Sequence, residues 1–314
     1  MPTGRRKVVV GALSGAVALA FPRAAALAQA TRGGAVRLVV GFPPGGSVDH
    51  VGRVLAPALS RELGRAVVVE NVPGANSARA IARVAASEPD GDTLLLSSSA
   101  IAHPDNAATA ASLRPVILVS TAPMVLVVRA SLPVRDPREF AAYLASHGQA
   151  SYGSSGVGNP THLAAARLVE YLRADAVHVP YSGSALAFAD LVAGRIDFLV
   201  TASNSSVAGN PAVRVLAVTT RSRSRLPWLD RLPTIAETVV PDFDFGLWQA
   251  VFVPAQFPDV AIATLNAQLR GVLALEPVRA ALAGGGVEVV AGSPGDAERV
   301  YRAEVAQGRE RMPR

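Results

Sequence analysis

Two short loops carry residue types that can hold an anion without a formal positive charge. The first is Pro43-Pro44-Gly45-Gly46-Ser47. It follows an apolar, β-branched run, Val36 to Val40, and precedes an amphipathic one, with Val48, Val51, Leu55, Leu59 and Leu63 at spacings of three and four. That pattern reads as strand, tight turn and helix. Backbone N–H groups at the start of such a helix have no intrahelical partner, and the helix dipole favours negative charge there. Ser47 adds a hydroxyl. The second loop, Ser154-Ser155-Gly156, leads through Pro160 to Thr161 at the head of another helical run and has the same make-up. The first loop lacks the Lys and following Ser/Thr of a P-loop, so a carboxylate is a more fitting anion for it than a nucleotide phosphate, and its glycines also fit a plain strand-helix turn.

Catalytic signatures are missing from the sequence. There is no Gly-x-Ser-x-Gly elbow. The five histidines, His50, His103, His147, His162 and His178, show neither an HExxH pattern nor close ligand spacing, and the chain has no cysteine. No metal site, cofactor or catalytic residue is therefore expected.

The first thirty residues are read as a cleaved secretory signal: Arg5, Arg6 and Lys7, an apolar stretch from Val8 to Phe21, and small residues at Ala28 and Ala30. The stretch is too short to span a bilayer. Gly4-Arg5-Arg6-Lys7-Val8-Val9 also fits a loose twin-arginine pattern, although the ordinary Sec reading is preferred. Removing the four basic residues Arg5, Arg6, Lys7 and Arg23 lowers the formal charge from +6 to +2. A chain so nearly neutral does not suggest nucleic acid or a membrane surface as partner. A mature chain starting at Thr31 is long enough to bury its core without disulfides and suits two α/β lobes.

These loops need elements to position them. Strands are expected at Ala66 to Glu70, Thr93 to Ser97, Pro115 to Val119, Met124 to Val128, Ala150 to Gly153, Ala176 to Pro180, Ile196 to Val200, Arg214 to Thr219 and Trp248 to Pro254. Helices are expected at Ala78 to Ala86, Pro133 to Ser146, Thr161 to Leu172 (capped by Thr161), Ser184 to Ala193, Val260 to Leu275 and Pro294 to Gln307. Alternation at this spacing argues parallel sheets with helices on their faces.

An ordered set of motifs gives the chain a family resemblance. They include Val40-Gly41-Phe42-Pro43-Pro44-Gly45-Gly46, Val68-Val69-Glu70-Asn71-Val72-Pro73-Gly74-Ala75, Pro89-Asp90-Gly91-Asp92-Thr93-Leu94-Leu95-Leu96, Tyr152-Gly153-Ser154-Ser155-Gly156, His178-Val179-Pro180-Tyr181-Ser182-Gly183-Ser184 and Leu232-Pro233-Thr234-Ile235-Ala236-Glu237. Together they resemble the Bug-type periplasmic solute-binding proteins, which serve tripartite tricarboxylate transporters. The resemblance implies an α/β chain of the type II periplasmic-binding-protein fold, with two lobes joined by a hinge of crossing strands and a ligand cleft between them. Lobe one would be 31–128 with 249–314, and lobe two 129–248. The implied partners are a small organic acid and membrane permease subunits, and the expected form is a monomer in the periplasm. A sensing role, or a secreted enzyme on the same scaffold, is the alternative.

The expected ligand residues are Phe42, Pro44, Gly45, Gly46, Ser47, Asn76, Ser77, Ser98, Ser99, His103, Ser154, Ser155, Gly156, Thr161, Thr201 and Trp248. Asn76 and Ser77 stand where the family has Gly-Gly, and Thr201 where it has an acid. Trp248 is read as an apolar cleft wall or as hinge packing, Arg79 as a solvated cation, and His162 as a structural hydrogen-bonding residue.

Overall fold

The computed structural model describes residues 34–146, 148, 150–204 and 206–311, and the signal segment read at residues 1–30 lies outside them. β1 (Val36–Val40) is the β-branched run, with all but Arg37 buried. It pairs in parallel with β2 (Val67–Asn71) and β3 (Thr93–Ser98). The connections are α1 (Ser47–Leu63), which buries Val48, Val51, Leu55 and Leu59 as its spacing predicts, and the shorter α2 (Ala78–Ala85). Gly64 ends α1 in a left-handed conformation that glycine adopts without steric cost.

Two strands expected on either side of Pro123 are one. β4 (Leu113–Arg129) runs without interruption for 17 residues. After it come α3 (Pro137–Ser146), β5 (Ala150–Ser154), α4 (Pro160–Tyr171), β6 (Ala176–Pro180), α5 (Ser184–Val192), β7 (Phe198–Ala202), β8 (Val213–Val218) and β9 (Gly246–Pro254). Leu113 to Pro123 of β4 pair with β9, whereas Met124 to Val128 pair with β7. Pro123 lies opposite Gly246, at the changeover between partners, where a missing N–H interrupts no ladder. β4 therefore belongs to both halves of the sheet, in which the strand order is β2-β1-β3-β9-β4-β7-β5-β6. β5 pairs in parallel with β6 and β7, which repeats the arrangement around β1.

The chain closes with α6 (Asp259–Ala274), α7 (Glu276–Gly284), β10 (Glu288–Val289) and α8 (Pro294–Arg311). α7 and β10 are not among the elements expected from the sequence. The helix expected from Pro133 begins at Pro137, and the strand expected from Ile196 begins at Phe198. Asp197 anchors that start: it accepts from Arg129 Nε at 3.0 Å and from the Ser151 amide at 2.8 Å. The apolar faces pack into buried clusters on both sides of the sheet, with Phe140 and Phe198 in edge-to-face contact at 4.9 Å.

Candidate functional site

The carboxyl ends of β1 and β5 face each other across a cleft, the position at which open α/β sheets hold ligands. Gly46 is the N-cap of α1, and no side chain caps that helix. Behind the loop, Asp49 accepts from the Gly45 amide at 2.9 Å, from Arg53 Nε at 2.8 Å and from Asn71 Nδ2 at 2.9 Å. Burial opposes ionisation of Asp49, but these hydrogen bonds outweigh it and hold the carboxyl below its usual range. The Gly45 N–H is thus committed to Asp49. Gly45 itself, at φ 88°, and Pro44 lie exposed on the outside of the turn.

On the opposite side, Thr161 is not the cap of α4. The helix begins one residue earlier, at Pro160, with Asn159 as its N-cap. The Thr161 hydroxyl instead accepts from the Ser155 amide at 2.9 Å and pairs with the Ser155 hydroxyl at 2.9 Å, which fixes the loop. A third helix, α5, also starts at the cleft, again without a side-chain cap. Three helix N-termini therefore converge, each equivalent to about half a positive charge.

They surround two adjoining pockets, both bordered by Phe42 and Ser155. Gly46, Ser47, Ser98 and Thr161 of the expected set line the first, and Asn76, Ser77 and Gly156 line the second. None of the lining residues is Asp, Glu, Lys, Arg or His. Tyr181, at the second pocket, stays neutral: burial and its hydrogen bond to Asp190 push it up to about 12. Arg79 is exposed and lines neither pocket.

The remaining expected residues point elsewhere. After β3 the chain makes a 3-10 turn, Ser99–Ala102, which carries Ser99 and His103 to a separate narrow cavity beside Gly158. Ser154 is buried, with its hydroxyl on His178 Nε2 at 2.7 Å. Thr201 and Trp248 are buried in β7 and β9 and face away from the pockets. Their strand neighbours Ala202, Leu247 and Gln249 line the first pocket, since side chains alternate between the two faces of a sheet.

Gln249 lines the first pocket and is absent from the expected set, although an amide inside the apolar run Leu247 to Pro254 is a visible signal. It is fully buried. Its Oε1 accepts from Ser120 Oγ at 3.3 Å, and its Nε2 donates to Ser47 Oγ at 2.8 Å. With its oxygen already accepting, Ser47 has its proton free to donate into the pocket. Asn159 Nδ2 is a buried donor without a protein partner and borders the same space. Ser184, at the start of α5, adds a hydroxyl. The cleft is uncharged and rich in donors, which suits an anion.

Beneath the second loop, His162 and His178 stack at 4.0 Å, with Tyr152 over His178 at 5.0 Å. His162 Nδ1 accepts from the Gly158 amide at 3.0 Å, a structural role. Burial, and then the neighbouring His162, push His178 down to about 4; burial also lowers His162. An unfolded histidine titrates near pH ~6.5, so below that pH the unfolded chain binds protons that the folded chain refuses. This stabilisation is complete above pH ~6.5 and is lost as the pH falls towards 4. The melting temperature should fall over that window, and His178→Gln should flatten the slope. Equal slopes for both proteins would contradict this origin.

An α/β cleft of this kind, walled by helix N-termini on two sheet halves, defines a periplasmic-binding-protein fold. A solved protein from R. palustris, Rpa4515 with adipate, is 30% identical with a TM-score of 0.83, over 88% of this chain and 95% of that one. MatC from Rhodopseudomonas palustris, with bound malate, is 28% identical with a TM-score of 0.81, over 89% and 99%. Protein BugT of Bordetella pertussis is 32% identical over 273 residues, 82% of each chain. Residues 51–311 match the tripartite tricarboxylate transporter family receptor, and the chain belongs to that Bug-type family of solute-binding proteins. Among the described residues, no helix is long and apolar enough to cross a membrane.

Proposed function

We propose that the protein is a periplasmic receptor that captures a small carboxylate and delivers it to the membrane permease subunits of a tripartite tricarboxylate-type transporter. The observation that carries this reading is the donor-lined cleft, free of charged side chains, at three helix N-termini. Hydroxyls and backbone N–H groups hold the carboxylate, and no arginine clamps it. Two lobes, 31–128 with 249–314 and 129–248, close around it about the shared strand β4. The ligand's differential affinity for the closed form drives closure. The acid is released unchanged, and the exported chain acts as a monomer without a cofactor.

A panel of organic acids in thermal unfolding tests this. At a hundredfold excess over its dissociation constant a ligand adds about 2.7 kcal/mol. For a chain of this size that raises the melting temperature by roughly 5 to 10 °C. A ligand-stripped protein that no acid stabilises would refute the reading.

Closure should be reinforced by Asn76, whose Nδ2 donates to Val157 O at 2.6 Å across the mouth of the cleft. Ala75, Asn76 and Ser77 all sit at positive φ, 47°, 50° and 72°, a strained run held by Asn106 Nδ2 donating to Asn76 O at 2.9 Å. Asn76→Gly removes the bridge and relieves strain. It should raise the ligand dissociation rate about threefold to tenfold, the worth of one hydrogen bond, without lowering the melting temperature of the empty protein. An unchanged rate in stopped-flow release would show that the bridge does not hold the closed form.

A further inference from the structure

Across the cleft, three side chains from one half of the sheet each rest on a glycine of the other. The segments after β1, β2 and β3 supply Pro43, Asn76 and His103, and the segments after β5 and β6 supply Gly156, Gly158 and Gly183. A Cβ on Gly156 would run into Asn76 Oδ1, and one on Gly158 into His103 Nε2. These two glycines have φ of 138° and 70°, so their own backbone already calls for glycine. Gly183 differs. Its φ of 167° and ψ of 157° are extended backbone that any residue adopts. The three atoms nearest to a Cβ there all belong to Pro43: Cδ at 2.7 Å, Cγ at 3.0 Å and Cβ at 3.9 Å. The first two are too close for carbon, whereas the third is an ordinary contact. A proline ring is joined to the backbone at both ends and cannot swing aside. Gly183 lines neither pocket. The space it leaves is therefore matched to the opposite half, not to its own turn or to the ligand.

We infer that Pro43 and Gly183 form the stop that sets how far the cleft closes, which makes Gly183 a positioning residue for ligand capture. The bare glycine lets the prolyl ring come flush against the turn before α5. That contact brings the α1 and α5 N-termini to their working separation, at which a Cβ on Gly46 would lie 3.6 Å from Ser184 Oγ. One methyl group at position 183 would hold the halves apart, as overfilling does in any tightly packed contact. The closed form becomes rarer, and the apparent affinity for a ligand falls in proportion.

This inference rests on the closure about β4 proposed above, but not on the identity of the ligand, and its test uses none. The chain has no cysteine, so Gly46→Cys with Ser184→Cys introduces a single thiol pair that faces across the cleft. A disulfide needs the two Cβ atoms close together, so its rate of formation with diamide as oxidant reports the closed form. The rate is measured for this parent and with Gly183→Ala, Pro43→Ala or both added. Gly183→Ala should slow crosslinking at least about tenfold, or ~1.4 kcal/mol, with an unchanged circular dichroism spectrum. In the Pro43→Ala background only the contact at 3.9 Å remains. There the same methyl should cost less than about twofold. Equal rates with and without Gly183→Ala overturn the stop. An equal loss in both backgrounds also overturns it, because the effect then lies within the turn before α5, and so does a parent pair that never crosslinks. A protein that behaves as expected here but that no organic acid stabilises keeps the stop and loses the carboxylate reading; the reverse result loses the stop alone.

Discussion

Gly46→Val should abolish ligand binding and leave the fold intact. Gly46 has φ −81° and ψ 170°, a conformation open to any residue, so the substitution brings no backbone strain. A Cβ there would meet Ser184 Oγ at 3.6 Å and Pro43 O at 3.8 Å, ordinary contact distances. Valine's two methyl groups, however, would enter the space between the two halves where the carboxylate must reach the α1 N-terminus. Affinity should fall by more than about 100-fold, or ~2.7 kcal/mol, with an unchanged circular dichroism spectrum. Arg79→Ala, by contrast, should cost less than about tenfold, or ~1.4 kcal/mol, because Arg79 is exposed and lines neither pocket. If titration shows Arg79→Ala without binding and Gly46→Val unharmed, the arginine holds the ligand and the helix N-termini do not.

Gln249→Glu should have an effect of similar size from a change of only one atom type. In the native chain Gln249 donates to Ser47, so the Ser47 proton is free for the ligand. A carboxylate at the same place accepts instead. It would draw the Ser47 proton towards itself, present oxygen lone pairs to the pocket and add a negative charge beside the bound anion. At neutral pH the loss should exceed about 100-fold. Acid should restore part of it as the introduced carboxyl protonates. A binding loss that does not depend on pH between 7 and ~5 would assign the effect to packing. Gln249→Leu supplies the comparison: it removes the donor without adding charge, and should lose less affinity than Gln249→Glu at neutral pH.

The elements around the cleft were legible because hydrophobic period is a local signal. Val48, Val51, Leu55 and Leu59 announce α1, and the run from Val36 to Val40 announces β1. The two glycine- and serine-rich loops were legible for the same reason, since each joins a strand to a helix. What failed was direction. Thr201 and Trp248 are each one residue away from a side chain that lines the pocket, and a one-residue step in a strand exchanges the faces of the sheet. Ser99 and His103 follow the correct strand but leave it through a 3-10 turn that carries them away from the pocket. Ser and Thr favour the cap position, which makes Thr161 look like a cap in the sequence, yet Pro160 already fits the first turn and frees the hydroxyl for Ser155. Pro123 suggested a break, and its place at the exchange of partners along β4 depends on long-range pairing.

Native mass spectrometry of the protein, purified without added ligand, tests the central claim most directly. The released small molecule is identified, then incubated with fresh protein and recovered. The account predicts one small organic acid per chain, returned unchanged and able to rebind. A bound amine or neutral sugar, or conversion of the acid to a product, would contradict it.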